Sequence, residues 1–220
     1  MSSDQRAKAF SERLPRLLKV AGFGRKFYGM VWERVYPRAE LQEYTAKIAE
    51  NIANGQGVIL SGSVGVGKTS IMALIAEEAL RVGRWQHSHA HGVVLQTYYH
   101  PRFRVRYVTA SQLFALMFER EAGLIENFRD CDLLMIDDLG WEYPADFPLS
   151  KFRDLINHRT AHMLATCIAT NLNREMLVED TNSEFAQKYW QIVDRLRDRE
   201  LFTFIEINEE SQRPTNRPRG

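Results

Sequence analysis

Residues 62 to 69 read Gly62-Ser63-Val64-Gly65-Val66-Gly67-Lys68-Thr69, followed by Ser70. Three glycines, a lysine and a hydroxyl at this spacing suit the cradling of a polyphosphate. Glycine lets the backbone turn tightly and aim consecutive N–H groups inward at a phosphate. A helix starting just after them adds its positive end at the same spot. Lys68 has the reach and charge to meet β- and γ-phosphates, and the Thr69 hydroxyl is a hard ligand for Mg²⁺. At ordinary residue frequencies such an octet arises by chance in roughly one chain of this length in a hundred, so its flanks decide. Residues 57–61 before it are short, apolar and bounded by glycine, which predicts a buried strand. Residues 70–80 after it carry the apolar spacing of a largely buried helix. Residues 62–70 are therefore expected to bind ATP with Mg²⁺.

A second chemical signal is Leu133-Leu134-Met135-Ile136-Asp137-Asp138, an apolar strand ending in two carboxylates. In a parallel sheet the C-terminal strand ends face the ligand crevice, which puts these acids beside the phosphate loop. Asp137 is expected to hold Mg²⁺ through its water shell, together with Thr69. Asp138 is expected to orient or deprotonate an attacking water. Thr170-Asn171 ends another apolar strand and has two readings, a strand-terminating turn or a sensor of the γ-phosphate. Arg195 follows Asp194 near the end of a helical run, where a surface ion pair with Asp194 or Asp198 is one reading.

The elements that must position these groups can be read along the chain. Residues 4 to 21 form an amphipathic helix with Phe10, Leu14, Leu17, Leu18 and Ala21 on one stripe. That stripe packs on its own domain or is offered to a partner. Residues 22 to 36 are rich in aromatics, and residues 39 to 54 predict another helix, ended by Asn54-Gly55. Residues 83 to 101 carry four of the six histidines. His87, His89 and His91 would share one side of an extended chain, and a polar loop is expected there rather than a metal site. Residues 93–99, a turn at His100-Pro101, and residues 102–108 read as a β-hairpin. In it Arg102, Arg104 and Arg106 would line one face, with Phe103, Val105 and Tyr107 on the other. The arginines either guard an edge strand or contact a phosphate backbone. Thr109-Ala110-Ser111 caps a helix through Arg120. Strands are expected at 131–136, 164–170 and 202–207, with helices after Pro148 and over 183–196. Strands alternating with helices imply an α/β fold with a parallel sheet and right-handed crossovers.

Composition sets bounds. The chain has 220 residues, 45% of them hydrophobic, which suffices for one core with small additions. A net charge of +1 excludes a uniformly basic coat. The first 40 residues hold nine Lys/Arg against four Asp/Glu, so that end is a candidate patch or a solvated helix face. Cys131 and Cys167 lie in separate apolar runs, as expected of core thiols in a reducing compartment. No signal peptide is read at the start and no apolar run reaches membrane-spanning length. A cytoplasmic location is the expectation, with no membrane partner.

The order phosphate loop, Asp137-Asp138-Leu139-Gly140, Ala169-Thr170-Asn171-Leu172 and Asp194-Arg195-Leu196 resembles the AAA+ ATPases of the DnaC/IstB group. These are bacterial replicative-helicase loaders and helper ATPases of certain transposases. Residues 155–159 and 205–213 also resemble segments of that group. The resemblance implies a P-loop NTPase of AAA+ type, with a five-stranded parallel sheet flanked by helices and no C-terminal helical lid. It implies an N-terminal helical region over 1–50, an ATPase core over 51–210 and a tail over 211–220. It makes Asp137 and Asp138 the Walker B pair, Asn171 the first sensor, and Arg195 the arginine inserted into a neighbouring subunit's ATP site. Arg213 stands in the place of the group's Ser-x-Arg ending. The implied partners are a second copy of the chain, head to tail, then DNA, and a helicase or transposase. The residues alone leave two other classes open, a small-molecule P-loop kinase and a nucleotide-gated adaptor with little hydrolysis.

Overall fold

The computed structural model describes residues 2–32, 39–90, 93–140, 146–179 and 184–207. Seven strands are formed among them: β1 (Gly57–Gly62), β2 (Gly83–Ala90), β3 (Val93–Pro101), β4 (Val105–Thr109), β5 (Leu133–Leu139), β6 (Ala165–Thr170) and β7 (Phe202–Ile207). The helices are α1 (Ser3–Ala21), α2 (Ala39–Ala46), α3 (Ile48–Ala53), α4 (Lys68–Arg81), α5 (Ala110–Phe118), α6 (Ala122–Arg129), α7 (Asp146–Ala161) and α8 (Glu184–Leu196).

Five strands make one sheet in the order β4-β5-β6-β1-β7, every neighbouring pair parallel. Such a sheet is covered on both faces, so its strands are apolar throughout. Alternation then decides which layer each side chain enters. Val58 and Leu60 of β1 pack with α1, α2, α3 and α4, whereas Ile59 faces the layer of α5, α7 and α8. Leu133 and Met135 of β5 split from Leu134 and Ile136 in the same way. The α1 stripe is packed on its own domain, with Phe10, Leu14, Leu18 and Ala21 buried. Cys131 and Cys167 are buried free thiols.

Three expectations are corrected. The helix read over 39–54 is broken at Lys47, where the backbone leaves helical geometry (φ −106°, ψ 18°). Residues 83–101 are not a polar loop but an antiparallel ribbon, β2 paired with β3 from Gly83↔Pro101 to Ala90↔Val93. The pairing closes at Ala90↔Val93 rather than at His100-Pro101, and the strand after Pro101 goes elsewhere. β4 joins the main sheet as its edge, parallel to β5, with Val105 opposite Leu133.

The three arginines consequently do not share a strand face. Arg102 and Arg104 precede β4, and only Arg106 belongs to it. The Arg102 guanidinium lies 5.1 Å from the Phe103 ring centre. Arg104 is drawn back to the Asp130 carbonyl and lies 3.6 Å from the Asp132 carboxylate. Phe103, Val105 and Tyr107 do point together, into the α1–α4 layer.

The ribbon is tied to the body. Phe10 and Tyr99 meet edge to face at 5.3 Å, and Arg13 donates to the Thr97 carbonyl (2.9 Å) with its guanidinium over Trp85. The Tyr99 hydroxyl donates to the Arg81 carbonyl (2.5 Å), with that of Leu80 at 3.1 Å. These are carbonyls at the end of α4, which lack partners within the helix. The register shifts between Ser88 and His89, with Leu95 the extra residue of β3, and His87 Nδ1 is 2.8 Å from Thr97 Oγ1. Among the described residues no group of three or more His, Cys, Asp or Glu is placed to hold a metal ion. Also among them, no helix is long and apolar enough to cross a membrane. His91, Arg213 and the 211–220 tail lie outside the described residues.

Candidate functional site

The strand ends of the main sheet open on a cleft of about 700 Å³. Its floor is the turn between β1 and α4. Gly65 (φ 90°) and Gly67 (φ 95°) adopt left-handed conformations that a side chain would resist. Gly67 is the N-cap of α4 and offers no side-chain cap, so the first N–H groups of that helix face the cleft uncapped by a side chain. Val64, Gly65, Gly67, Lys68, Thr69 and Ser70 line the cleft. Val66 is turned into the core at 2% exposure and anchors the loop.

Lys68 is buried and its ammonium donates three hydrogen bonds, to the carbonyls of Gly62 (2.7 Å) and Ser63 (2.9 Å) and to Asn171 Oδ1 (2.7 Å). Two of these partners belong to the loop that would receive phosphates. Asn171 is held in place by its neighbour. The Thr170 hydroxyl donates to the Leu139 carbonyl (2.7 Å) and accepts the Leu172 N–H (3.1 Å), which fastens the end of β6 to the end of β5.

Asp137, at the end of β5, is buried and ringed by donors. Its Oδ2 accepts the hydroxyls of Thr69 (2.7 Å) and Tyr107 (2.8 Å), and its Oδ1 accepts the Asp138 N–H (3.0 Å). Burial pushes its pKa above the ordinary carboxylate value, and the Thr69 and Tyr107 hydroxyls pull the other way. The same burial raises the Tyr107 pKa, with the Asp137 charge adding to it. Asp138 sits at φ 58°, a left-handed geometry that Asp tolerates, and stands exposed at the cleft. A carboxylate fixed by hydroxyl donors next to a threonine oxygen is a hard-oxygen donor set, of the kind Mg²⁺ takes alongside substrate phosphates.

The cleft contains a wall that the motifs did not announce. Gly24, Lys26, Phe27 and Met30, from the segment after α1, line it opposite the phosphate loop, as do Tyr107, Thr109 and Gln112. The aromatic density of residues 22 to 36 is the one sequence signal that points to it. Arg195 is not among the lining residues. It stands half-exposed in the last turn of α8, donating to Asn157 Oδ1 (3.2 Å), with Asp194 at 3.6 Å.

No protein-family model matches the chain, and no curated protein matches it. Solved structures do. The fold they share with this chain is α/β, a parallel five-stranded sheet between helical layers. More particularly, the chain is similar to the crystal structure of DnaI, with a TM-score of 0.59 at 22% identity, over 85% of this chain and 95% of that one. The DnaC helicase loader gives 0.60 at 18% identity, over 84% of this chain and all of the other (100%). DnaA of Aquifex aeolicus bound to AMPPCP gives 0.56 at 18% identity, over 82% of this chain and 50% of that one. At such identities the likeness speaks for the fold.

Proposed function

We propose that the chain is a Mg²⁺-dependent ATPase that assembles head to tail and loads or recruits a partner machine on DNA, in the manner of a helicase loader. The observation that carries the ATPase reading is the convergence of Lys68, Thr69, Asp137, Asp138 and Asn171 from three strand ends on one cleft. The β- and γ-phosphates would take over the Lys68 hydrogen bonds now made to Gly62 and Ser63, while the N–H groups at the start of α4 receive the remaining oxygens. Thr69 and Asp137 would hold Mg²⁺, which neutralises phosphate charge when bound. Asp138, exposed beside them, would orient or deprotonate the water, and Asn171 would report on the γ-phosphate. Phe27 and Met30 supply an apolar wall for the nucleoside end.

Arg195, half-exposed and absent from the cleft lining of its own subunit, would act on the next subunit's nucleotide. Different surfaces then meet, so the contact propagates as a ring or spiral. Likeness to DnaI and to the DnaC helicase loader favours a helicase over a transposase as partner, and a cytoplasmic place of work.

ATPase rate per subunit should climb with protein concentration. Arg195→Ala should bind a fluorescent ATP analogue nearly normally and hydrolyse ATP on the order of a hundredfold more slowly. Mixed with Lys68→Ala, it should recover part of the rate, because Lys68→Ala subunits carry an intact Arg195. Two inactive variants that never complement would remove the trans arginine and the head-to-tail assembly with it.

A further inference from the structure

Of the three donors that ring Asp137, two belong to the nucleotide machinery, since Thr69 is in the phosphate loop and Asp138 is the next residue. Tyr107 is neither. It comes from the middle of the edge strand β4, where its register partner is Met135, and Thr109 stands opposite Asp137. Its hydroxyl reaches Asp137 Oδ2 (2.8 Å), and its ring is stacked on Phe23 at 4.3 Å and 28°.

Phe23 is fixed by how α1 ends. Gly22 takes φ 110°, and the N–H groups of Gly22 and Phe23 both return to the Leu18 carbonyl (3.1 and 3.0 Å). This is the glycine-terminated stop that satisfies a helix's last carbonyls. A Cβ at Gly22 would collide with the Tyr107 carbonyl oxygen, so the end of α1 lies directly on β4. Phe23 itself is buried at 3% exposure, and its carbonyl accepts the Tyr28 hydroxyl (3.2 Å). A continuous set of contacts thus runs from α1 through two stacked rings to the carboxylate.

We propose that Tyr107 is a positioning residue for Asp137, and that α1 sets the Mg²⁺ affinity of the nucleotide site through the Phe23–Tyr107 stack. This rests on the nucleotide reading above. With Oδ2 occupied by two hydroxyls and Oδ1 aligned by the Asp138 N–H, the carboxylate has one orientation. Donors behind a metal-holding carboxylate govern its affinity, because an unheld group loses rotational freedom on binding. Any partner that shifts α1 would therefore shift the cation requirement without touching the nucleotide.

The test is Tyr107→Phe, which deletes the hydroxyl and keeps the ring, the stack and the volume. Binding of a fluorescent ATP analogue is titrated with Mg²⁺. The Mg²⁺ concentration for half-maximal tightening should rise about tenfold, a larger change than any in metal-free analogue affinity. Phe23→Leu, which keeps burial but removes the stack, should move the same midpoint in the same direction by roughly threefold. A Tyr107→Phe midpoint equal to wild type, or an equal weakening of metal-free binding, overturns the positioning role. A shift in Tyr107→Phe alone removes α1 from the proposal. A wild-type chain that binds the analogue indifferently to Mg²⁺ would sink the nucleotide reading itself, and the inference with it.

Discussion

Lys68 and Arg159 are both buried cations, set at opposite ends of the same parallel sheet, and they are held in contrasting ways. Arg159, on α7, is completely buried. Its guanidinium donates to Thr166 Oγ1 and to the carbonyls of Phe128, Arg129, Cys131 and Ala165. Those groups are the end of α6 and the starts of β5 and β6, all fixed parts of the scaffold. Burial pulls its pKa below the usual arginine value, and the carbonyl ring is what keeps the charge there. Lys68 is paired instead with two loop carbonyls and one side-chain amide. A planar fork matched to fixed acceptors acts as a rivet, whereas a point charge on loop acceptors can exchange its partners. The rivet and the proposed nucleotide site thus sit at opposite strand ends.

The strongest way to break this contrast is Arg159→Met, which leaves several buried carbonyls without donors. It should cost about 3–5 kcal/mol of folding free energy, read from urea unfolding. A midpoint like that of wild type would mean the rivet is dispensable. Lys68→Ala should lose nucleotide affinity on the order of a hundredfold yet cost less than about 1 kcal/mol of stability, since its carbonyl partners belong to a partly exposed Gly62 and an exposed Ser63 and can turn to water. The same urea curve and an analogue titration decide both halves, and a large stability loss would make Lys68 a scaffold cation too.

The smallest effect sharpens the comparison at Asp137. Because burial raises its pKa above the unfolded value, the folded chain holds the proton more tightly. The ionised form is therefore destabilising at neutral pH, a penalty that fades as pH falls through the folded pKa. Asp137→Asn should then raise the melting temperature of nucleotide-free protein by about 2–4 °C at pH 7, with the gain shrinking toward acid. No gain at pH 7 in calorimetry would mean that the Thr69 and Tyr107 hydroxyls outweigh burial.

Groups whose chemistry is local are legible in the amino-acid sequence. The phosphate loop and the Asp137-Asp138 pair announce themselves by spacing, and β7 falls on the residues its apolar pattern predicts, 202–207. Arg159 lies inside a segment marked by resemblance, but nothing local says that a charged residue will be as fully buried as Phe152 of the same helix. Strand partnership is what sequence reading gets wrong. The alternation of Arg102, Arg104 and Arg106 after His100-Pro101 looks like the second arm of a hairpin, and period-two patterning is blind to which strand lies alongside. What sends β4 to β5 is the long-range burial of Val105 and Val108 against the rest of the sheet. Tyr107 escapes notice for the related reason that its role depends on two residues distant in sequence, Phe23 and Asp137.

The Tyr99 hydroxyl at the end of α4 gives the ribbon a fixed root. Gly83 has no room for a side chain beside the Tyr99 ring, so the root tolerates neither added bulk nor a change of register. The ribbon thus leaves the body along one fixed line, and the last carbonyls of α4 stay capped by a side chain from outside that helix.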